Sequence, residues 1–309
     1  MDWRKAAFAM GAALAVVLVC AVFLSIQLSR ERKESAAFRA SWTPELEELW
    51  SPFLTPKRPL IVSVAAPLFV GMQGYGLFRD LTLNRWEDVL TSPKIDAIRK
   101  ALGNPGMLPR YYYAGSGEVS AAFHLGKLLA TTNLSMSIAK SSQLSWQQLA
   151  DNNVVAIGPA RLFQDQLRAL PAELEFLMDE AGIHNLHPKS GEASVFADQY
   201  PSILRIETPG VPDDGEVYSL ITLRPGPLSN GAVQSFSSNH SPGTLAAVQW
   251  FTNPPMAKAL VAKLRKPSGQ IPRYYQLVLK VKYKDAVPTD ISYVTHRELR
   301  TGKTNPAEK

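Results

Sequence analysis

The longest run of apolar and small residues in this chain extends from Ala6 to Leu28 and contains no charged residue. A helix rises about 1.5 Å per residue, so a helix of this length crosses a hydrocarbon core about 30 Å thick. A cleaved signal peptide is the alternative, but its apolar region is about 7–15 residues long and ends at small residues. This run instead ends in the charged cluster Arg30–Glu34, and Val19 stands where a lipoprotein signal would need a small residue before Cys20. The pattern predicts a retained single-pass signal-anchor over residues 1–29.

Positive charges flank this segment on both sides. More of them follow it than precede it, which by the positive-inside rule favours a cytoplasmic carboxyl-terminal side. A very short basic amino terminus followed at once by an apolar run is, however, typical of bacterial signal-anchors that export the domain behind them. We therefore predict a protein of the bacterial cytoplasmic membrane whose domain faces away from the cytoplasm, with the lipid bilayer as the partner of Ala6–Leu28.

Residues 30–57 are polar with scattered aromatic side chains, and Thr43-Pro44 is a typical helix start. The pattern indicates a juxtamembrane helix or linker that separates the bilayer from the domain. Prolines at positions 52, 56 and 59 mark its end.

Residues 58–299 are predicted to form an α/β domain, followed by a flexible tail over 300–309. Continuous apolar runs at 60–65 and 153–158 have the length of strands buried on both faces, and 134–139 alternates as a strand does. These segments alternate with helical patterns, which is typical of parallel strands joined by crossovers. Later segments predict antiparallel hairpins at 174–187, 217–237 and 274–299 that extend or edge the same sheet. The predicted fold is a mixed sheet with helices on both faces, behind one transmembrane helix.

Composition narrows the possible functions only a little. Hydrophobic residues make up 46% and charged residues 19% of the chain, as in folded domains. The net charge of +6 fits attraction to anionic lipid head groups or acidic ligands, and we expect no nucleic-acid partner. Because the single cysteine, Cys20, lies in the anchor, the domain has no disulfide and no thiolate chemistry.

The sequence contains no G-x-S-x-G, H-E-x-x-H or Walker A motif. We predict no catalytic residue, no metal site and no cofactor. The expected function is ligand binding, or signalling through a small anionic ligand or a protein partner. The alternative is a membrane-tethered hydrolase or nucleotide-processing enzyme whose active-site residues are dispersed along the chain.

Helix starts that follow predicted strands or loops offer candidate anion sites, because free N–H groups and the helix dipole favour negative charge there. They lie at 115–117, 158–160 and 237–241, and no acidic residue occurs from Val233 to Lys258. The alternative for the last junction is that Ser241 merely caps its helix. The predicted ligand-binding residues are Ser238, Asn239, His240, Ser241, Gly243, Ser116 and Gly158.

Several segments together resemble a bacterial family of membrane-tethered α/β domains that has no assigned activity. They are RPLIVSVAAPLFV, GSGEVSAAFHLGKLL, LSWQQLADNNVVAIG, SSNHSPGTLAAVQWFTNP and ISYVTHREL. Similar domains follow winged-helix DNA-binding regions in some membrane regulators. Only five residues precede the apolar run here, so we expect no such region in this chain. The resemblance implies an architecture and no specific chemistry.

Overall fold

The computed structural model describes residues 19, 21–26, 42–54, 58–132, 134–199 and 213–300. The predicted anchor lies largely outside these ranges, as do most of the predicted juxtamembrane segment and tail. In the described parts of the chain, no helix is both long enough and apolar enough to cross a membrane. The chain divides into two compact units, Met1–Pro44 and Glu45–Lys309, and the fold below is that of the second unit.

The strands are numbered along the chain. They are β1 (Leu60–Val64), β2 (Phe69–Met72), β3 (Gly76–Phe78), β4 (Met107–Arg110), β5 (Met136–Lys140), β6 (Asn153–Ile157), β7 (Phe176–Asp179), β8 (Gly182–Asn185), β9 (Val195–Ala197), β10 (Asp214–Pro225), β11 (Ala232–Ser238), β12 (Tyr275–Lys284) and β13 (Val287–Glu298). The α-helices that the structure describes from Pro44 onward are α1 (Pro44–Leu54), α2 (Trp86–Thr91), α3 (Pro93–Ala101), α4 (Ser116–Leu129), α5 (Trp146–Asp151), α6 (Gln164–Leu167), α7 (Ser241–Thr252) and α8 (Pro254–Leu264).

The main sheet has seven strands in the order β13-β12-β10-β11-β6-β1-β5. Its parallel half contains β5, β1, β6 and β11, and Val62 of β1 pairs with Ile138 of β5 and with Val155 of β6. All five residues of β6 are buried, as a continuous apolar run between covered faces requires. The predicted strands near 60–65, 134–139 and 153–158 are therefore confirmed as neighbours in one sheet, and the mixed α/β class is confirmed.

The other half of the sheet is antiparallel. β10 pairs with β11 and with β12, and β12 pairs with β13, so the hairpins predicted at 217–237 and 274–299 are confirmed. The second of them turns at Asp285 and Ala286, whose φ angles are 50° and 61°. Positive φ at both central residues matches the twist of the flanking strands. The sequence placed this turn at Val287-Pro288, which instead begins β13.

The hairpin predicted at 174–187 forms, but the prediction that it joins the main sheet is wrong. β7 and β8 form a separate three-stranded sheet with β9. Their apolar side chains, including Phe176 and Ile183, pack against Leu220 and Val278 of the main sheet. Alternation places those side chains on one face of the hairpin, so they are buried by stacking on the main sheet rather than by pairing at its edge.

Helices cover the main sheet. On one face, the Trp50 ring of α1 lies 6.4 Å from the ring centroids of Phe236 and Phe251, and its Nε1 donates to the Phe251 carbonyl at 2.7 Å. On the other face, Leu149 of α5 and Phe163 pack with Val154. The segment α1 lies in the range predicted as juxtamembrane, yet its apolar side chains belong to the core of the domain.

Candidate functional site

The predicted helix-start junctions come together at one edge of the main sheet, where its parallel strands end. Gly158 follows β6, and a Cβ atom there would lie 3.2 Å from Cγ of Glu118 in α4. A Cβ atom on Gly117 would lie 2.2 Å from the carbonyl oxygen of Ser241 in α7. The starts of α4 and α7 are therefore in close contact beside the end of β6.

A carboxyl group occupies this contact. Ser241 Oγ donates a hydrogen bond of 2.6 Å to Oε2 of Glu118, whose side chain is buried. The region from Val233 to Lys258 has no acid of its own, but α4 supplies one at the start of α7. A negative group is favoured at that position by the helix dipole and the free N–H groups.

Ser238 and Gly243 of this junction also contact other residues of the chain, whereas Ser116 is exposed. Ser238 Oγ donates to the Tyr218 carbonyl at 2.9 Å, and a Cβ atom on Gly243 would lie 2.2 Å from that same Oγ. The N-cap of α7 is His240, and Ser241 is the first helical residue, so the interpretation of Ser241 as the cap is wrong. Ser116 is the exposed first residue of α4.

Asn239 ties three neighbouring segments together. Its Nδ2 donates to the Asp179 carbonyl at 2.7 Å and to Asp198 Oδ2 at 3.2 Å, and its Oδ1 accepts from Arg161 at 3.0 Å. Burial raises the pKa of Asp198 although Tyr218 N–H and Asn239 donate to it. Burial, assisted by the positive charge of Arg161, lowers the pKa of His240. Anion binding by these residues stays a prediction.

A cavity that the sequence did not predict lies next to this junction, between the main sheet and the β7–β9 sheet. Its volume is about 430 Å³. The smaller sheet contributes mainly apolar walls, including Phe176, Met178 and the nearby Leu186. The main sheet contributes Arg224 and the hydroxyl residues Ser235 and Ser237.

Arg224 is the unusual member of this lining because its side chain is only 5% exposed. Its Nη2 donates to the Leu167 carbonyl at 2.8 Å. No acidic side chain among the described residues forms a salt bridge with it. Burial alone lowers the pKa of Arg224 to about 10, so the group is still a cation at neutral pH.

Gln276 fixes the two walls of the cavity to each other. Its Oε1 accepts from the backbone N–H groups of Glu175 at 2.8 Å and Phe176 at 2.9 Å. Its Nε2 donates to the Phe176 carbonyl at 2.9 Å and to Thr222 Oγ1 at 3.2 Å. Because the amide is fully used in these bonds, Gln276 holds the start of β7 on the main sheet and is not available to a ligand.

A second cavity, of about 450 Å³, lies beyond the ends of β1 and β5. Its lining is polar and carries charges of both signs, such as Arg85 and Asp165, which approach to 3.8 Å. Both of these side chains are largely exposed, so water solvates them already and they give a ligand little additional attraction.

Comparison of the chain with protein-family models, curated proteins and solved structures finds no match. The resemblance to membrane-tethered α/β domains therefore stays a prediction, and the geometry of the cavities carries the functional argument.

Proposed function

We propose that this chain is a membrane-anchored ligand-binding domain without catalytic activity, and that its ligand site is the cavity between the main sheet and the β7–β9 sheet. The observation that supports the proposal is the lining of that cavity. It combines apolar walls with a few polar groups, of which Arg224 carries a charge. Small-molecule sites are typically of this size and combine the same two kinds of group.

The anchor belongs to the same proposal. The uncharged segment Ala6–Leu28 would hold the domain at the bacterial cytoplasmic membrane, with the cavity outside the cytoplasm. Reporter fusions at the carboxyl terminus test this orientation. Activity of an exported reporter such as alkaline phosphatase supports it, whereas fluorescence of a reporter that folds only in the cytoplasm contradicts it.

Ligand binding is tested by a thermal-shift screen of a metabolite library with the full chain in lipid nanodiscs. A hit should lose its effect in Leu186→Trp, which adds bulk to a partly exposed residue of the cavity wall. The matched control is Leu90→Trp on α2, at an exposed leucine that does not line this cavity. Hits that survive Leu186→Trp would place the ligand elsewhere.

A hydrolase is the second candidate because His184 and Asp179 both line the cavity, with Nε2 of the histidine 2.8 Å from Oδ2 of the aspartate. A histidine oriented by a carboxylate is a common general base. Turnover of ester substrates that disappears in His184→Gln would favour this function over simple binding.

A further inference from the structure

The charged side chains buried in the described part of the domain differ in the partners that compensate their charge. Glu118, Arg224 and Arg297 are its buried charged side chains. Glu118 accepts from Ser241, and Arg297 pairs with Glu192. Arg224 has only the carbonyl of Leu167.

The guanidinium of Arg224 therefore has N–H donors that form no hydrogen bond within the described residues. It carries five N–H donors, and one of them is used within the described residues. Removing a cation from water without a counter-charge is costly, and the cost is recovered when an anion binds. Arg224 lines the cavity, so an anion can reach it there.

We infer that the cavity binds a small monocarboxylate with an apolar body, its carboxylate held by Arg224 and its body against Phe176, Met178 and Leu186. The inference rests on the proposed function and specifies its ligand class. The planar fork of a guanidinium fits a carboxylate in a bidentate manner. Ser235 pairs with Thr222, two positions from Arg224 on the same face, so its hydroxyl can donate a further hydrogen bond to the carboxylate.

A single negative charge fits this lining better than a double one. Arg168, another cation of the lining, is exposed to solvent. Asp179, its acidic member, lies on the opposite sheet and accepts from the backbone N–H of Ala181. A phosphate monoester would bring up to two charges to one buried guanidinium and would leave part of its charge without compensation.

The experiment compares hexanoate and octanoate with hexanol and octanol by isothermal titration calorimetry. The full chain is held in nanodiscs, and empty nanodiscs are titrated in parallel to subtract partitioning into lipid. The wild-type chain should bind each carboxylate at least about 30-fold more tightly than the alcohol of equal length, since loss of one partner of a buried charge pair commonly costs that much.

Variants then locate the charge. Arg224→Gln should weaken octanoate binding by at least about 30-fold, and Arg224→Lys should fall between it and the wild type, because lysine keeps the charge but lacks the fork. Arg168→Gln, at the solvent-exposed arginine of the same lining, should weaken octanoate binding by no more than about 5-fold, because water already solvates that charge. Circular dichroism verifies that each variant folds. If Arg224→Gln does not fold, the comparison of carboxylate with alcohol in the wild-type chain still decides the inference.

The outcomes separate the two proposals. If alcohols bind as tightly as carboxylates and Leu186→Trp abolishes both, the cavity is a ligand site but the inference about charge is overturned. If the loss of affinity follows Arg168→Gln instead of Arg224→Gln, the inference is likewise overturned. If neither series binds, the inference about the ligand class is overturned, and the proposed site is decided separately by the metabolite screen with Leu186→Trp.

Discussion

The close contact between α4 and α7 predicts opposite effects for the same substitution at two positions of one helix. Gly117 and Gly126 both lie in α4. A Cβ atom at Gly117 would be 2.2 Å from the carbonyl oxygen and 2.6 Å from the carbonyl carbon of Ser241. At Gly126 a Cβ atom would meet no heavy atom within 4 Å.

Gly117→Ala should therefore destabilise the domain, and Gly126→Ala should stabilise it. The atoms that obstruct a side chain at Gly117 are backbone, which cannot rotate away, so the helices must separate. Overpacking of this kind costs about 1–3 kcal/mol, and sometimes more. Alanine gains up to about 1 kcal/mol over glycine in a helix, a gain that Gly126→Ala should show in full and that offsets only part of the loss at Gly117.

Because both variants gain the helix propensity of alanine, they should differ by the overpacking cost of about 1–3 kcal/mol, which corresponds to roughly 2–12 °C in melting temperature for a domain of this size. Thermal unfolding of the full chain in nanodiscs, followed by circular dichroism, measures the difference. Equal melting temperatures for the two variants would show that the Ser241 carbonyl does not lie against Gly117, and would contradict the close contact of α4 with α7.

Other predictions follow from buried groups. Trp50→Ala should lower the free energy of unfolding by about 3–5 kcal/mol, because the ring is fully buried. Trp146→Ala, at a half-exposed ring, should lower it far less, and a denaturant titration of both variants measures the difference. Gln234→Met should raise the free energy of unfolding by about 1–3 kcal/mol, since neither amide atom has a partner among the described residues, and a lower melting temperature would contradict this. Because burial lowers the pKa of His240, the unfolded chain takes up a proton first, so stability should fall as pH drops from about 7 through 6. The slope should be smaller in His240→Gln, and an unchanged slope would refute this role.

In the parallel half of the sheet, β5 was predictable from its alternating pattern, and β1 and β6 because each is a short, continuous apolar run. Such a run specifies burial on both faces whatever its neighbours are. The alternating strands were predictable as hairpins for a similar local reason. The location of the hairpin at 174–187 was not predictable from the sequence. Stacking on the main sheet and pairing at its edge would bury the same face of β7 and β8, so the alternation fits both.

The packing of α1 could have been predicted from its helical spacing. Leu46, Leu49, Trp50 and Phe53 recur at helical spacing and form one apolar face, and all four are buried. The acidic residues between them made the segment look polar overall. Periodicity was therefore a better guide here than composition.

The cavity could not be predicted for a different reason. Thr222 and Arg224 in β10 and Ser235 and Ser237 in β11 occupy alternate positions, which in sequence is typical of a face exposed to water. That face is covered only because the β7–β9 sheet packs over it, and nothing local to β10 or β11 specifies the cover. An anion site was predicted near Ser237 and Gly158, and the cavity that Ser237 lines also contains the buried cation Arg224.

Arg224 and Gln234 are both buried polar side chains whose hydrogen-bonding capacity is not fully used, but only Arg224 lies where a ligand can reach it. Gln234 is fully buried in the core and lines none of the cavities described above, so a ligand cannot relieve its lost hydrogen bonds and its replacement changes stability alone. Arg224 lines a cavity, so its cost is carried by the free domain and reduced when an anion binds. Binding then adds RT ln(1 + [L]/Kd) to stability, about 2.7 kcal/mol at a hundred times Kd. A carboxylate at that concentration should thus raise the melting temperature of Gln234→Met as much as that of the wild-type chain, but that of Arg224→Gln by about a third as much or less, because a 30-fold weaker Kd leaves only about 0.9 kcal/mol. That contrast would separate a group retained for binding from one that is merely tolerated in the core.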